Sequence, residues 1–181
     1  ASVSVYDANK SIKSLISGSD INLGISLNSN ATRNEEVSAI VIAGGVGGVA
    51  GIAGAVSVYN ANNEVSAQIA GSNIEAQTLT SRALNKSNTE VFNAAVGAGG
   101  KAGIAGSVVV NNLNDTTQST FTGSGTMEVS GDTNVSATLD QTTDFDVASV
   151  GIGGGAGVAG SVVVNTINNS TVVEIESDYS I

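Results

Sequence analysis

The sequence contains no cysteine, proline, histidine or tryptophan, and only 3% of its 181 residues are aromatic. Without Cys or His there is no disulfide framework, no Cys/His metal site and no Ser-His-Asp or Cys-His catalytic apparatus. Positive charge is scarce too: 6 Lys+Arg stand against 16 Asp+Glu, a formal net charge of −10. Nucleic acids and anionic membranes both require a basic face that displaces counterions, so neither is expected as a partner. The chain shows no basic and apolar leader at Ala1-Ser2-Val3 and no uninterrupted apolar run of about 18 residues. What is present is 41% hydrophobic residues with 12% charged, and 23 glycines. That is too apolar for disorder, but the apolar content is mostly Ala and Val, so a core of small side chains is expected.

An internal repeat organises the whole chain. Val49-AGIAGAVSVYNANNEVSAQ-Ile69, Lys101-AGIAGSVVVNNLNDTTQST-Phe121 and Gly155-AGVAGSVVVNTINNSTVVE-Ile175 align without a gap, and Val3-SVYDAN-Lys10 matches Val56-SVYNAN-Asn63. The unit is therefore about 53 residues long, and the chain reads as one solenoid segment, residues 1–181, of about three and a half repeats. No polar or divergent terminal repeat shields either end, so the segment is expected to be an internal piece of a longer array. Glu36-Val-Ser-Ala39 recurs as Glu64-Val-Ser-Ala67, with Thr89-Glu-Val-Phe92 after it. This weaker periodicity suggests two coils of roughly 26 residues per unit, with three coils of roughly 18 as the alternative.

In Ser107-Val-Val-Val-Asn-Asn-Leu113, Val56-Ser-Val-Tyr-Asn60 and Thr133-Asn-Val-Ser-Ala-Thr-Leu139 the apolar residues tend to fall two apart and are β-branched, which predicts short strands. The clusters Asn111–Asp115, Gly123–Gly125 and Ser130–Asn134 are rich in residues that tolerate turns, and are expected to be corners. The absence of proline fits strands with neighbours above and below. The fold class expected is all-β, a parallel β-helix or β-solenoid. Its central core is expected to use Val56, Val58, Ile104, Val108, Val110, Val162 and Val164, so that Val108→Asp should disrupt its coil.

The Gly-rich core of the unit runs from Val96 to Val110. One period-2 face carries Val96, Ala98, Gly100, Ala102, Ile104, Gly106, Val108 and Val110; the other carries Gly97, Gly99, Lys101, Gly103, Ala105, Ser107 and Val109. Such small faces point to close backbone approach, either between strands or in a helix packed through small residues. Gly155-Ala-Gly157-Val-Ala-Gly160 spells a G-x-G-x-x-G, but Val49 and Lys101 break it in the other copies, and a nucleotide fingerprint occurs once. Gly99-Gly-Lys101 is followed by Ala102 where a phosphate loop needs Ser or Thr, and no Asp follows Gly-Gly as a calcium nonapeptide requires. The glycines therefore read as architectural. The structural repeat positions are Gly51, Gly54, Val56 and Asn62; Gly103, Gly106, Val108 and Asn114; Gly157, Gly160, Val162 and Asn168. Gly103→Val and Gly106→Val are both expected to destabilise by crowding.

The carboxylates Glu35, Glu36, Asp140, Asp144, Asp146, Glu174, Glu176 and Asp178 are scattered. Asp144 with Asp146, and Glu174 with Glu176, sit two apart on one strand face, a spacing open to calcium or acid/base work but more simply a solvated face. No oxygen-rich cluster recurs with the repeat, so no metal or other cofactor is expected. Polysaccharide lyases use β-helices, but Arg33 and Arg82 are the only strong cationic residues and lie outside the repeated core, so no catalytic residues are assigned and an enzyme is not expected. Asn9, Asn62, Asn114 and Asn168 occupy one column, and stacked Asn side chains at a corner can hydrogen-bond along the axis as an internal ladder that supports register; with two coils per unit an intervening coil separates neighbours, so the ladder need not be continuous.

The unit VGAGGKAGIAGSVVVN, with its Asn-rich continuation and alternating strand, resembles the repeats of very large exported proteins of anaerobic Gram-negative bacteria. The resemblance is to fusobacterial leukotoxin and adhesin-like relatives in the style of filamentous haemagglutinin. It implies a secreted or cell-surface location, a parallel β-helical shaft and contact with host cells through an unspecified receptor. On this reading the segment belongs to a virulence exoprotein of toxin or adhesin type and packs against neighbouring repeats of its parent chain. A passive stalk displaying a distant domain is the alternative, and a carbohydrate-active β-helix the third. Membrane insertion is not expected, because the Gly-Ala stretches at Ala43 to Ala55, Gly97 to Ser107 and Gly151 to Ser161 lack polar-apolar alternation and aromatic girdles. The aromatics Tyr6, Tyr59, Phe92, Phe121, Phe145 and Tyr179 all lie outside those stretches.

Overall fold

A computed structural model describes residues 1–176 and 179–180. It consists of strands β1 (Ser2–Ser17), β2 (Asp20–Asn22), β3 (Ser26–Gly47), β4 (Ala50–Ala70), β5 (Asn73–Ala76), β6 (Thr78–Gly99), β7 (Ala102–Thr122), β8 (Gly125–Val129), β9 (Thr133–Gly153), β10 (Ala156–Ile175) and β11 (Tyr179–Ser180), with no helix among the described residues. They form three sheets, ordered β1-β4-β7-β10, β2-β5-β8-β11 and β3-β6-β9. Every pairing is parallel and couples a residue to its repeat equivalent, as in Asn9 with Asn62, Asn62 with Asn114 and Asn114 with Asn168. The fold is a parallel β-solenoid, as the repeat pattern indicates.

The coil is twice as long as the weaker periodicity suggests. One unit is one coil, made of a long strand, a short strand and a second long strand, for example β4, β5 and β6. The recurring Glu-Val-Ser-Ala segments lie on β3 and β4, in different sheets. Their likeness records a shared alternation, with Val37 and Val65 both buried, and not a second coil.

Glycine closes the corner between the first long strand and the short one. Gly18, Gly71 and Gly123 hold φ of 57°, 53° and 76° at the ends of β1, β4 and β7, a left-handed conformation that costs glycine little. The Gly123–Gly125 and Ser130–Asn134 clusters are corners as expected, Thr133 and Asn134 beginning β9, but Asn111–Asp115 runs straight through β7. In an in-register parallel stack each Asn side chain finds its partner in the neighbouring coil, which removes its incentive to turn the chain.

In cross-section the coil is a thin wedge. At the base, Ile69, Ile74, Ala76, Leu79, Phe121 and Met127 pack with Ile16, Leu27, Val129 and Val135. Toward the tip, where β3 turns into β4 and β6 into β7, the interior narrows to Val41, Ala43, Ala53, Ala55, Ala95 and Ala105. Beyond these, only glycine backbone is left between the sheets. A Cβ on Gly51 would overlap the Ala98 carbonyl oxygen, and one on Gly103 the Ile152 carbonyl oxygen.

That geometry inverts the expected core. The inward face is the small one, carrying Gly103, Ala105, Ser107, Val109, Asn111 and Leu113 in β7. Val56, Val58, Val108 and Val110 lie on the outer face, half-buried by their neighbours in the sheet, and Ile104, Val162 and Val164 are exposed. Two sheets that meet through backbone leave no room for valine between them. Only where the wedge widens do β-branched residues such as Val41 and Val109 fit inside, and Val109 is 0% exposed there.

The inversion changes the expected effect of a charge. Val109→Asp places an unpaired carboxylate between the sheets and should abolish cooperative folding, whereas Val108→Asp faces water and should cost no more than about 1 kcal/mol of sheet propensity. Urea unfolding of the two variants distinguishes them, and equal losses would contradict the assigned facing.

Candidate functional surface

The repeat positions resolve into three kinds of column. Asn9, Asn62, Asn114 and Asn168 form an uninterrupted ladder on the outer face of the β1-β4-β7-β10 sheet. Each Nδ2 donates to the Oδ1 of the preceding coil, at 3.0 Å from Asn62, 2.9 Å from Asn114 and 3.1 Å from Asn168. Because one unit is one coil, no intervening coil breaks it. A second ladder stands beside it, with Asn112 donating to Asn60 at 2.9 Å and Asn60 to Asp7 at 2.7 Å.

Val56, Val108 and Val162 form an apolar column on the same face. The glycines divide between the two sides of the sheet. Gly51, Gly103 and Gly157 point inward, where a side chain would strike opposing backbone. Gly54, Gly106 and Gly160 point outward: a Cβ meets nothing within 4 Å at Gly54 or Gly160, and only the Gly160 carbonyl oxygen at 3.9 Å from Gly106. Gly106→Val is therefore not a crowding substitution, contrary to the sequence expectation, because the space it would fill is solvent.

Inside the wedge lies a polar cluster that the repeat does not announce. Arg33, on β3, is 2% exposed. Its Nη2 forms an ion pair with Glu35, and its Nη1 donates to Asn85 Oδ1 at 2.7 Å and lies 4.0 Å from Asp115 Oδ2. Asp115 in turn accepts from Asn63 Nδ2 at 2.8 Å and from Gln141 Nε2 at 3.3 Å, and Gln141 accepts from Asn169 at 2.7 Å. At the other end Glu35 pairs with Lys10 at 3.1 Å and accepts from the Tyr6 hydroxyl at 3.1 Å. These bonds join all four coils through the interior.

Arg33 thus belongs to the core, and Glu35 is a buried ion-pair partner and not part of a solvated face; Glu36 and Arg82 point to solvent. Strand alternation carried the signal, since Arg33 and Glu35 share parity with Ala31, Val37, Val41 and Ala43, all of them inward. Burial lowers the Arg33 pKa, opposed by Asp115, but a guanidinium keeps its charge.

Tyr59 stacks on Tyr6 with ring centroids 5.2 Å apart and planes 8° from parallel. Burial raises the Tyr59 pKa above 10.0, with the neighbouring Thr89 hydroxyl and Arg33 acting against the rise. A raised folded pKa means that the unfolded chain releases this proton first. The Tyr59 contribution is therefore complete below pH 10 and is lost as pH climbs through the folded value. In an alkaline series followed by phenolate absorbance and thermal midpoint, the parent should lose stability more steeply than Tyr59→Phe. Identical slopes would show that Tyr59 ionises normally.

The remaining carboxylates do not converge. Asp144 and Asp146 are exposed and line, with Glu90 and Phe92, a groove of about 180 Å³ on the outer face of the β3-β6-β9 sheet. Glu176 accepts from the Gly123 backbone N–H at 2.5 Å, Glu174 is exposed, and Asp140 lies 4.0 Å from Lys86. Asp178 lies outside the described residues. Among the described residues no three Asp or Glu side chains assemble to hold a metal ion, and no helix is long and apolar enough to cross a membrane.

The apolar positions of the tip half are turned outward on both sides. Val3, Val5, Ile52, Ile104, Val158, Val162 and Val164 are exposed on one sheet, and Ile40, Ile42, Val46, Phe92, Val96, Val150 and Ile152 on the other. The Gly-Ala stretches thus turn only small residues inward and carry their few β-branched ones, such as Val46, Ile52, Ile104, Ile152 and Val158, outward. No protein-family model, no curated protein and no solved structure matches this chain.

Proposed function

We propose that this chain is a shaft segment of a large exported exoprotein of the leukotoxin or adhesin type, and that the sides of the shaft contact host cells. The observation that carries the reading is the placement of the chemistry. Bonding groups that elsewhere converge in a cleft are spread here as continuous columns along the outer faces, repeated once per coil. A surface of this kind multiplies weak contacts with the number of coils, as extended repeat surfaces do. Export and a Gram-negative source rest on the resemblance of the repeat unit alone.

Labelled segment applied to leukocytes and epithelial cells tests the proposal. Saturable binding that weakens when the Asn62, Asn114 and Asn168 column is replaced by Asp, with folding retained, is the expected result. Absence of binding would favour a passive stalk, a reading supported by the hydrogen bonds that run along the axis both inside and outside the wedge. Turnover of a polysaccharide would favour the carbohydrate-active reading over both.

A further inference from the structure

We infer that the outer face of the β1-β4-β7-β10 sheet is a self-association surface, on which a second copy of this chain packs face to face. Four columns make up its apolar band: Ile52 with Ile104 and Val158; Gly54 with Gly106 and Gly160; Val3 with Val56, Val108 and Val162; Val5 with Val58, Val110 and Val164. Two are solid valine, one is Ile/Val, and the glycine column between them leaves a furrow along the axis.

The area is sufficient. With strands about 4.8 Å apart and columns about 6.8 Å apart, the apolar columns cover ~460 Å² per copy, and the adjoining Asn60 column raises this to ~590 Å², hence ~1,200 Å² per pair, the lower end of a specific interface. Every further coil adds about 130 Å² per copy on the same spacing.

Charge selects the second copy as occupant and this sheet as the surface. A chain of net charge −10 repels itself unless the faces that meet are neutral. The apolar columns and the neighbouring Asn60 and Asn62 columns carry one charge, Asp7, which is already bound by Asn60. The outer face of the β3-β6-β9 sheet borders its apolar patch with Glu36, Glu90, Asp144 and Asp146, so two such faces would meet carboxylate to carboxylate. β-branched columns with a glycine furrow also suit a flat sheet-on-sheet contact, in which the ridge of one copy enters the furrow of the other. The pairing does not require that the shaft touch a cell.

Sedimentation velocity of the full 181-residue chain across the micromolar range tests it, beside Val108→Lys and Gly106→Val on the proposed face and Phe92→Lys on the opposite one. The parent should show a concentration-dependent dimer. Val108→Lys and Gly106→Val should each weaken it by about 100-fold or more with an unchanged far-UV spectrum and cooperative unfolding, and Phe92→Lys should leave it intact. A parent that stays monomeric overturns the inference, as does a dimer insensitive to Val108→Lys and Gly106→Val, which would place the contact at the open coil ends. A monomer that floats with neutral phosphatidylcholine vesicles overturns it in favour of lipid.

Discussion

Gly103→Val should unfold the tip of the solenoid, while Gly106→Val, in the same strand, should leave stability unchanged or slightly raised. At Gly103 the new Cβ would occupy the position of the Ile152 carbonyl oxygen and crowd that of Gly97. Overpacking a core that can adjust its side chains costs about 1 to 3 kcal/mol. Here the obstacle is backbone already fixed by ladder hydrogen bonds, so the loss should exceed about 3 kcal/mol, the top of that scale. At Gly106 the backbone φ is not in the left-handed region and the nearest atom lies 3.9 Å away. Glycine weakens a strand interior and valine favours it, which gives the sign of the small effect. Urea midpoints measured at low protein concentration, where lateral pairing does not contribute, provide the comparison. Equal destabilisation by both substitutions would mean that the sheets do not approach as described.

Among truncations to alanine, Arg33→Ala should be the most damaging outside the glycine tip. It removes the one buried cation facing Glu35 and Asp115, whose side chains are 3% and 0% exposed. Breaking a buried ion pair by deleting one partner costs about 3 to 5 kcal/mol, because the remaining charge loses its counter-ion without regaining water. Arg33→Lys should not restore the loss, since a single ammonium cannot reach Glu35 and Asn85 with the fixed fork that a guanidinium provides. Arg33→Met combined with Glu35→Met and Asp115→Asn should recover most of it, because an uncharged interior owes no desolvation penalty. Urea unfolding of the three variants gives the order. If the triple variant is as unstable as Arg33→Ala, the cluster contributes through packing and not through charge.

Much of this architecture could be read from the letters. The spacing of the AGIAG copies set the register that the sheets adopt, residue for residue, and the Gly-Ser-Gly at 123 to 125 marked a true corner. The facing of the strands was less legible. Period-2 alternation separates inside from outside when one side is polar, but here both are small or β-branched, and valine is the residue that the narrow wedge expels. Coil length was misleading for a related reason, because Val37 and Val65 share a local pattern while lying on opposite walls of the wedge, on β3 and on β4 of the next coil. The Asn-rich run at 111 to 115 resembles a loop in composition, and only the in-register stack turns it into strand. Arg33 and Glu35 occur once and so were invisible to a search for repeats, although their parity with Ala31 and Val37 placed them inside.

That one repeat unit forms one complete coil decides the wedge, the ladders and the facing together, and the absence of cysteine makes it directly measurable. Asn62→Cys with Asn114→Cys introduces two thiols on hydrogen-bonded neighbours in register, about 5 Å apart at one strand spacing. Asn62→Cys with Asn88→Cys introduces them half a unit apart, which a two-coil unit would make neighbours and a one-coil unit puts on opposite outer faces of the wedge. A bifunctional thiol reagent that spans a single strand spacing should cross-link the first pair within one chain and leave the second untouched. Cross-linking of the Asn62/Asn88 pair with failure of the Asn62/Asn114 pair would contradict the one-coil repeat.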